Sequence, residues 1–133
     1  LGDLGSRPPY ATRTAGLWAG EIEYYPETGR YHLYYAVTDT TFAGGGSAIG
    51  VAWSDDPTGP WTHSATPVIE PHDADCCPGS RRLVIDPEVL RTADEQQAIG
   101  YLGPDLLGAD WNPELALANL LADPDDLTVD HRV

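Results

Sequence analysis

GEIEYYPETGRYHLYYAV, residues 20–37, is the stretch of this sequence that decides its fold. The runs 20–25 and 30–37 are rich in the aromatic and β-branched residues that favour strands. PETG at 26–29, between the two runs, is a turn signal because proline and glycine interrupt regular structure. The stretch therefore predicts an antiparallel hairpin.

Two more strands are predicted directly after a flexible, glycine-rich connection. SAIGVAWS at 47–54 indicates a third strand, whose small residues suit a place where neighbouring backbones come close. A turn is expected at 55–60, and WTHSA at 61–65 begins a short fourth strand. Four consecutive strands with short links form a meander with two exposed edges, which needs cover. Radial repetition of four-stranded sheets, the β-propeller, is one way to provide that cover.

The strand pattern recurs further along the chain. EIEYYPETGRYHLYY, which begins at Glu21, can be laid beside EVLRTADEQQAIGY, which begins at Glu88 and is one residue shorter. Both give strand, polar turn, strand and tyrosine, so we expect a second sheet of the same kind. The alternative is a chance likeness between two hairpins.

The sequence after Tyr101 is less regular. ELALANLLA at 114–122 fits either a helix, by propensity, or a buried strand. A turn followed by a short strand is expected in DPDDLTVDHRV at 123–133.

The charge balance limits the partners. Seven basic residues, all arginine, stand against 21 acidic ones, which gives a net charge of −14. Because such a surface repels phosphate backbones and anionic membranes, we expect no nucleic acid and no membrane partner. A neutral sugar is not repelled, although solubility alone would also explain the acidity. The absence of methionine leads us to expect an excerpt or a processed product.

PHDADCC at 71–77 gathers several metal-ligating residue types, but its spacing matches no zinc pattern. We therefore expect no metal site. Nor is a cofactor expected, since the only glycine-rich run, AGGGS, lacks the lysine and helix of a phosphate-binding loop. A disulfide between the neighbours Cys76 and Cys77 would be strained, so we expect free thiols or partners elsewhere.

Four segments occur in an order and spacing that resemble glycoside hydrolase family 43. They are LWAGEIEYY, GRYHLYYAV, SAIGVAWSDDPTGPWT and VIDPEVL. The likeness covers roughly Leu17 to Tyr101, and SDDPTGPW followed by IDPEV is its most specific part. The sequence departs from the family pattern at Gly20, where proline is usual, and at 93–96, where the turn lacks Asp-Gly.

The resemblance implies an all-β fold: about two four-stranded antiparallel blades of a five-bladed β-propeller. We expect residues 1–15 to be a linker or loop and 16–133 to be a partial propeller domain. The first blade is expected at about 17–66, a long loop at 67–84, and the second blade at about 85–133. Long irregular loops are often functional.

The family likeness also implies the chemistry. Family 43 enzymes hydrolyse arabinose- and xylose-containing glycans with inversion, which needs two carboxyl groups about 6.5–9.5 Å apart. The family uses three acidic residues in catalysis: an aspartate as the base, a glutamate as the general acid, and a second aspartate that raises the pKa of that acid. By motif, Asp86 in VIDPEV matches this last aspartate. The alternative for Asp86 is a strand-start residue that satisfies nearby N–H groups.

Three further residues are implied to bind substrate. Trp18 matches a tryptophan that lines the sugar pocket and offers its aromatic face to the sugar, although a core tryptophan is the alternative. Ala19 and Ile85, beside Trp18 and Asp86, are expected to line the same pocket. Trp53 and Trp61 are expected to pack between neighbouring blades.

No residue matches the base, and Glu114, the only glutamate after Tyr101, lies in a context unlike that of the acid. Glu21 and Glu88 are interpreted as structural. We therefore expect this chain alone to be inactive. A non-catalytic propeller module that binds glycans or mediates contacts is the alternative function, and a truncated gene product is a third interpretation. The expected location is extracellular, with the cytoplasm as the alternative.

Overall fold

The computed structural model describes residues 4–74, 79–91, 97–102, 114–118 and 129–130. They form two four-stranded antiparallel sheets, each with its strands in chain order. The first sheet holds β1 (Leu17–Tyr25), β2 (Arg30–Val37), β3 (Ala48–Ser54) and β4 (Thr62–His63). The second sheet holds β5 (Ile85–Arg91), β6 (Gln97–Leu102), β7 (Glu114–Ala118) and β8 (Val129–Asp130). The all-β prediction is confirmed, while the number of blades in a complete propeller stays a prediction.

The predicted hairpin is formed by β1 and β2. The Thr28 and Gly29 N–H groups both donate to the Tyr25 carbonyl, at 3.2 and 2.8 Å. Gly29 has φ 68°, a conformation that glycine adopts at little cost, so the chain reverses where PETG indicated.

Alternation along the strands gives the first sheet two apolar faces. One face belongs to a cluster shared with the second sheet, which we call the inter-sheet cluster: Tyr34, Ala36, Ile49, Val51, Val68, Ile69, Val84 and Val89. The other face belongs to a cluster that includes the N-terminal segment, which we call the terminal cluster: Tyr10, Ala15, Leu33, Tyr35, Val37, Ala52 and Trp61. Because β2 is covered on both sides, its residues 32–37 are all buried.

The N-terminal segment at 4–16 contains no strand but is packed onto the first sheet. Thr12 N–H donates to the Asp39 carbonyl at 3.1 Å, and Thr41 N–H donates to the Tyr10 carbonyl at 2.8 Å. Ala11 also forms an isolated bridge with Thr40. These bonds hold Tyr10 against the sheet, where it is buried.

The first strand of each sheet carries the same irregularity. Trp18 pairs with Ala36 and Glu21 with Tyr34, so β1 uses three steps where β2 uses two. In the second sheet, Ile85 pairs with Leu102 and Glu88 with Gly100, which repeats the extra residue. Such a bulge keeps Trp18 and Glu21 on one face, although residues three apart normally alternate. The internal repeat is therefore confirmed, with Glu21 and Glu88 in matching positions.

Gly50 in β3 is needed for a different reason from the one expected. A Cβ at Gly50 would lie 2.5 Å from the Tyr10 hydroxyl oxygen and 2.7 Å from the Tyr35 ring. The close neighbours are therefore two buried side chains of the terminal cluster and not an adjacent backbone.

The connection at 67–84 is anchored to β3. Val68 N–H donates to the Ile49 carbonyl at 2.8 Å. The segment therefore continues along β3 on the same side as β4, past the two residues of β4. Val84 N–H donates to the Ser47 hydroxyl at 2.7 Å. Cys76 and Cys77 lie outside the described residues, so the expectation about their thiols stays a prediction.

The second sheet decides between helix and strand for residues 114–118. Residues 114–118 pair with β6, for example Leu117 with Ala98, so the strand interpretation of this segment is confirmed and the helix is wrong there. The expected short strand near the C-terminus is β8. The turn at 93–96 and the segment 103–113 lie outside the described residues.

Candidate functional site

The four residues proposed from the family pattern lie on two strands in contact. β1 and β5 are edge strands of their sheets, and they lie against each other. The Glu21 carboxylate accepts a hydrogen bond from Val89 N–H at 2.9 Å, which ties the two strands together. Trp18 and Ala19 belong to the bulged start of β1, and Ile85 and Asp86 belong to the bulged start of β5.

Asp86 has an exposed side chain and an unusual backbone. Its φ is 51°, in the left-handed region that aspartate tolerates better than most residues. Of the described residues, none donates a hydrogen bond to its carboxylate. The alternative role, satisfying nearby N–H groups at a strand start, therefore finds no support in this part of the chain. The carboxylate is available to a ligand or to another acid.

The bulge explains how proline fits next to Asp86. Asp86 and Pro87 fall between the paired positions Ile85 and Glu88, so the sheet does not require a proline N–H there. In the first sheet, Gly20 takes the place of this proline. A Cβ at Gly20 would lie 2.9 Å from the Leu33 Cδ1, so the departure from the family pattern accompanies a leucine that fills the space.

Trp18 is not a core residue, since its side chain is 58% exposed. The indole lies over Gly16, where a Cβ would be only 2.5 Å from the ring nitrogen. Gly16 is itself fixed by Thr38, whose hydroxyl accepts its N–H at 2.8 Å. An exposed ring on a fixed support is well suited to stacking on the apolar face of a sugar.

The other two proposed residues are less exposed or less fully described. Ile85 is half-buried and packs against the inter-sheet cluster, so only part of the residue is exposed. Ala19 lies in the β1 bulge, at the position that matches Asp86 in the second sheet. The structure describes the backbone of Ala19 only.

The sequence predicts a structural role for Glu21, and its bond to Val89 is a structural contact that the sequence does not indicate. The sequence places Glu21 in a strand, but nothing in it indicates that the carboxylate reaches a neighbouring sheet. Glu88, in the matching position, is exposed.

A concave surface lies at the other end of the first sheet. It is a shallow depression of about 290 Å³ lined by Arg30, Trp53, Ser54, Asp55, Asp56, Gly59, Pro60 and Thr62. Trp53 pairs with His32 near the start of β2, whereas Trp18 pairs with Ala36 near its end. The depression is therefore separate from the Asp86 site.

The turn beside this depression is organised by short-range polar contacts. Asp56 accepts hydrogen bonds from the Thr58 hydroxyl at 2.6 Å and from the Thr58 N–H at 2.8 Å, which lower the pKa of Asp56. Gly59 has φ 92°, as the turn chemistry required. Arg30 and Asp55 form an exposed ion pair at 3.2 Å, a type that stabilises little.

The two tryptophans of this stretch have different environments, and neither belongs to the inter-sheet cluster, so the expectation that both pack between blades stays a prediction. Trp61 is buried in the terminal cluster, against the first sheet and the N-terminal segment. Trp53 is half-buried and lines the depression. Trp61 is buried because the chain, after the turn at 55–60, returns to the face of the first sheet that carries the terminal cluster.

Polar side chains, most of them buried, form one group on each face of the first sheet. His32 stacks on Tyr25 with ring centroids 4.0 Å apart, and burial, with a smaller effect of Arg30, lowers the pKa of His32 to about 4. On the other face, the Tyr35 hydroxyl and His63 Nδ1 form a hydrogen bond of 2.7 Å. Burial raises the pKa of Tyr10 to about 12 and, together with the adjacent Tyr10, raises the pKa of Tyr35.

Among the described residues, no three histidine, cysteine, aspartate or glutamate side chains come together in a way that would hold a metal ion. The same residues include no helix long and apolar enough to cross a bilayer.

Comparison with known proteins decides the family. The sequence profile of glycosyl hydrolases family 43 matches residues 3–119, most of the chain. The chain belongs to this family. The resemblance seen in its motifs is thereby confirmed. One solved structure similar to this family 43 chain, the crystal structure of a thermostable family-43 glycoside hydrolase, shares 20% identity at a TM-score of 0.46. That similarity covers 81% of this chain and 36% of the other.

Curated relatives of the chain have different names. It is 48% identical over 77 residues to a probable endonuclease 8 2 of Streptomyces coelicolor, which covers 58% of this chain and 25% of that protein. It is 58% identical over 38 residues to a DNA-(apurinic or apyrimidinic site) lyase Nei2 of Mycolicibacterium smegmatis, which covers 29% of this chain and 15% of that protein. The chain thus spans a quarter or less of the length of these relatives.

Proposed function

We propose that the protein to which this chain belongs is a glycosidase that hydrolyses arabinose- or xylose-containing polysaccharides or oligosaccharides with inversion. Family 43 membership supports glycoside hydrolysis in general. The observation that carries the proposal is the position of Asp86: its exposed carboxylate lies in a bulge on β5, against the strand that carries the exposed Trp18.

In the proposed mechanism, Asp86 acts on another carboxyl group. A glutamic general acid protonates the leaving oxygen, and a second carboxylate activates water on the opposite face of the sugar. The negative charge of Asp86 disfavours ionisation of the acid and keeps it protonated near neutral pH. Trp18 stacks on the sugar ring and Ile85 and Ala19 complete the wall of the pocket. The base and the acid come from residues outside this chain, so this chain alone is inactive.

The test compares two proteins: this chain, and the longest gene product that contains it. Both are assayed on aryl α-arabinofuranoside, aryl β-xyloside and arabinan, and the anomer released first is identified by proton NMR. We expect turnover with inversion by the longer protein only. A folded longer protein that is silent on all three substrates overturns the proposal.

A non-catalytic module that binds pentose-containing glycans is the alternative within the same ligand class. It shares the exposed Trp18 but needs no acid. Arabinan binding by the longer protein, with no hydrolysis after prolonged incubation, would favour this alternative.

The endonuclease relatives make DNA the competing ligand class, since one of them is 48% identical over 77 residues. The net charge of −14 opposes this, because a DNA-binding surface gains its affinity from cations that neutralise phosphates. Fluorescence anisotropy with a duplex that contains an abasic site, at low salt, separates the two classes. Specific binding to that duplex, without binding to arabinan, would contradict the glycan proposal.

We also propose an extracellular location, because plant-type polysaccharides are too large to enter a cell intact. Immunodetection in the culture medium of the source organism tests this, and protein confined to the cell fraction would contradict it.

A further inference from the structure

We propose that Glu21 is a positioning residue: its bond to Val89 sets Asp86 relative to Trp18, and therefore sets how strongly Asp86 acts on the general acid when sugar is stacked on Trp18. This inference rests on the proposed function. It assigns a role in the reaction to a residue that neither the motif nor its strand position had marked.

The bond joins the edge strands of the two described sheets. Val89 lies on β5, the edge strand of the second sheet, and its N–H points to the Glu21 carboxylate at 2.9 Å. Glu21 is half-buried, and it shares a face of β1 with Trp18 because of the bulge between them. A hydrogen bond from an N–H to a carboxylate is shorter and stronger than one between neutral groups.

The position of the bond along each strand is what gives it control over the site. Trp18 lies three residues before Glu21, and Asp86 lies three residues before Val89. Each of these short segments contains the bulge of its strand. The bond therefore holds the first bulged segment at Glu21, where β1 resumes pairing, and the second at Val89, one residue after β5 resumes pairing.

The rest of the described contact between the sheets is mainly apolar, except where the chain enters β5. There the Ser47 hydroxyl accepts a hydrogen bond from Val84 N–H at 2.7 Å, two residues before Asp86. The inter-sheet cluster packs Val89 and Ile85 against side chains of β2 and β3, and such apolar contact is non-directional. The Glu21–Val89 bond therefore adds a second directional anchor, after the Asp86 bulge, since a hydrogen bond weakens steeply when its angle departs from the optimum.

A shift of β5 along the first sheet matters for catalysis, because the effect of Asp86 on the general acid depends on the distance between their carboxyl groups. The Coulomb interaction of its carboxylate with the general acid falls as the separation grows. When a mutation far from the reacting groups displaces a catalytic side chain by about 1 Å, the rate can fall by about 100-fold. Loss of the bond is therefore expected to lower kcat and to lower the pKa of the general acid, which moves the alkaline limb of the pH profile to lower pH.

The experiment uses the active longer protein with Glu21→Ala, Glu21→Gln and the control Glu27→Ala. Glu27 lies in the exposed turn at the far end of the same hairpin. We expect Glu21→Ala to lower kcat by about 10- to 100-fold with a smaller change in KM. Glu21→Gln is expected to restore most of the activity, since its amide oxygen also accepts the Val89 N–H. Hydrogen exchange of the peptide that contains Val89 should be faster in Glu21→Ala and unchanged in Glu27→Ala.

Three outcomes separate the possibilities. A merely structural role lowers the folded fraction and leaves the pH limb of the remaining enzyme unchanged, which overturns the positioning role. Wild-type kcat and pH limb in a folded Glu21→Ala enzyme overturn it as well. If Glu21→Ala does not fold, Glu21→Asp, with a shorter reach, replaces it under the same criteria. An inactive wild-type enzyme overturns the proposed function and the positioning role together, whereas the exchange measurement still reports whether the bond exists.

Discussion

Asp86 occupies the same position in the second sheet as Ala19 in the first, in a bulge with the same pairing pattern. The Asp86 backbone has φ 51°. For residues other than glycine the left-handed region is unfavourable, and aspartate is one of the few that visit it. The chain therefore accepts strain at the residue whose carboxylate is exposed, a combination that is common at functional sites.

Substitution at Asp86 separates the carboxylate from the backbone conformation. Asp86→Asn keeps a residue that tolerates positive φ and removes the charge, so we expect kcat/KM of the longer enzyme to fall by about 100-fold or more with little change in thermal stability. Asp86→Ala should be less stable than Asp86→Asn by about 1 kcal/mol, because alanine tolerates this conformation less well. Urea unfolding and steady-state kinetics measure the two effects.

The same Asp86→Asn enzyme carries a pH signature with a definite sign. Removing a negative neighbour favours ionisation of the general acid, so its pKa falls and the alkaline limb moves to lower pH. An unchanged limb, with full activity, would show that Asp86 does not act on the acid.

Trp18→Ala is expected to weaken substrate binding without loss of fold. The side chain is 58% exposed, so the substitution should change the free energy of unfolding by about 0.5 kcal/mol or less. KM should rise while Trp18→Phe retains most binding, because a ring face is kept. The control is Tyr24→Ala, which removes a 45% exposed ring from the other end of β1. Equal effects of the Trp18 and Tyr24 substitutions on KM would contradict the proposed stacking.

Much of this arrangement was predictable because it follows from local chemistry. Gly29 and the preceding proline determine the first hairpin, and alternation along β2 assigns its residues to two faces. The match of Glu21 with Glu88 predicted the second sheet, and the register confirms it residue by residue.

The features that were missed depend on contacts between distant parts of the chain. The Glu21–Val89 bond joins residues 68 apart, so no local pattern reveals it. Gly50 is required by the rings of Tyr10 and Tyr35, whose approach depends on how the N-terminal segment folds back. Trp53 and Trp61 look alike in sequence, and only the path of the turn places one in a core and the other at a depression.

Gly50→Ala tests the packing of the terminal cluster. The new Cβ would lie 2.5 Å from the Tyr10 hydroxyl oxygen, so the rings must move, and we expect a loss of about 1–3 kcal/mol in the free energy of unfolding. Tyr10→Phe should recover part of the loss in the double variant by removing that oxygen. Gly20→Ala is the matched control, since the tightest contact of its Cβ is with the flexible end of Leu33, at 2.9 Å, and the Tyr34 carbonyl oxygen lies at an ordinary 3.7 Å. A larger loss at Gly20 than at Gly50 would contradict this account.

His32 should make the protein sensitive to mild acid. Burial, with a smaller effect of Arg30, lowers the pKa of His32 to about 4, below the usual value of 6.5, so the folded state binds this proton less readily than the unfolded state. The stabilisation from neutral His32 is therefore complete above about pH 6.5 and is lost as the pH falls towards about 4, by up to about 1.4 kcal/mol per pH unit. His32→Phe keeps an aromatic ring against Tyr25 and removes the titration, so its free energy of unfolding, measured by urea at several pH values, should fall less over this range. Carboxylates titrate in both proteins and cancel in the comparison, so parallel pH dependences of wild type and variant would rule out His32 as the cause.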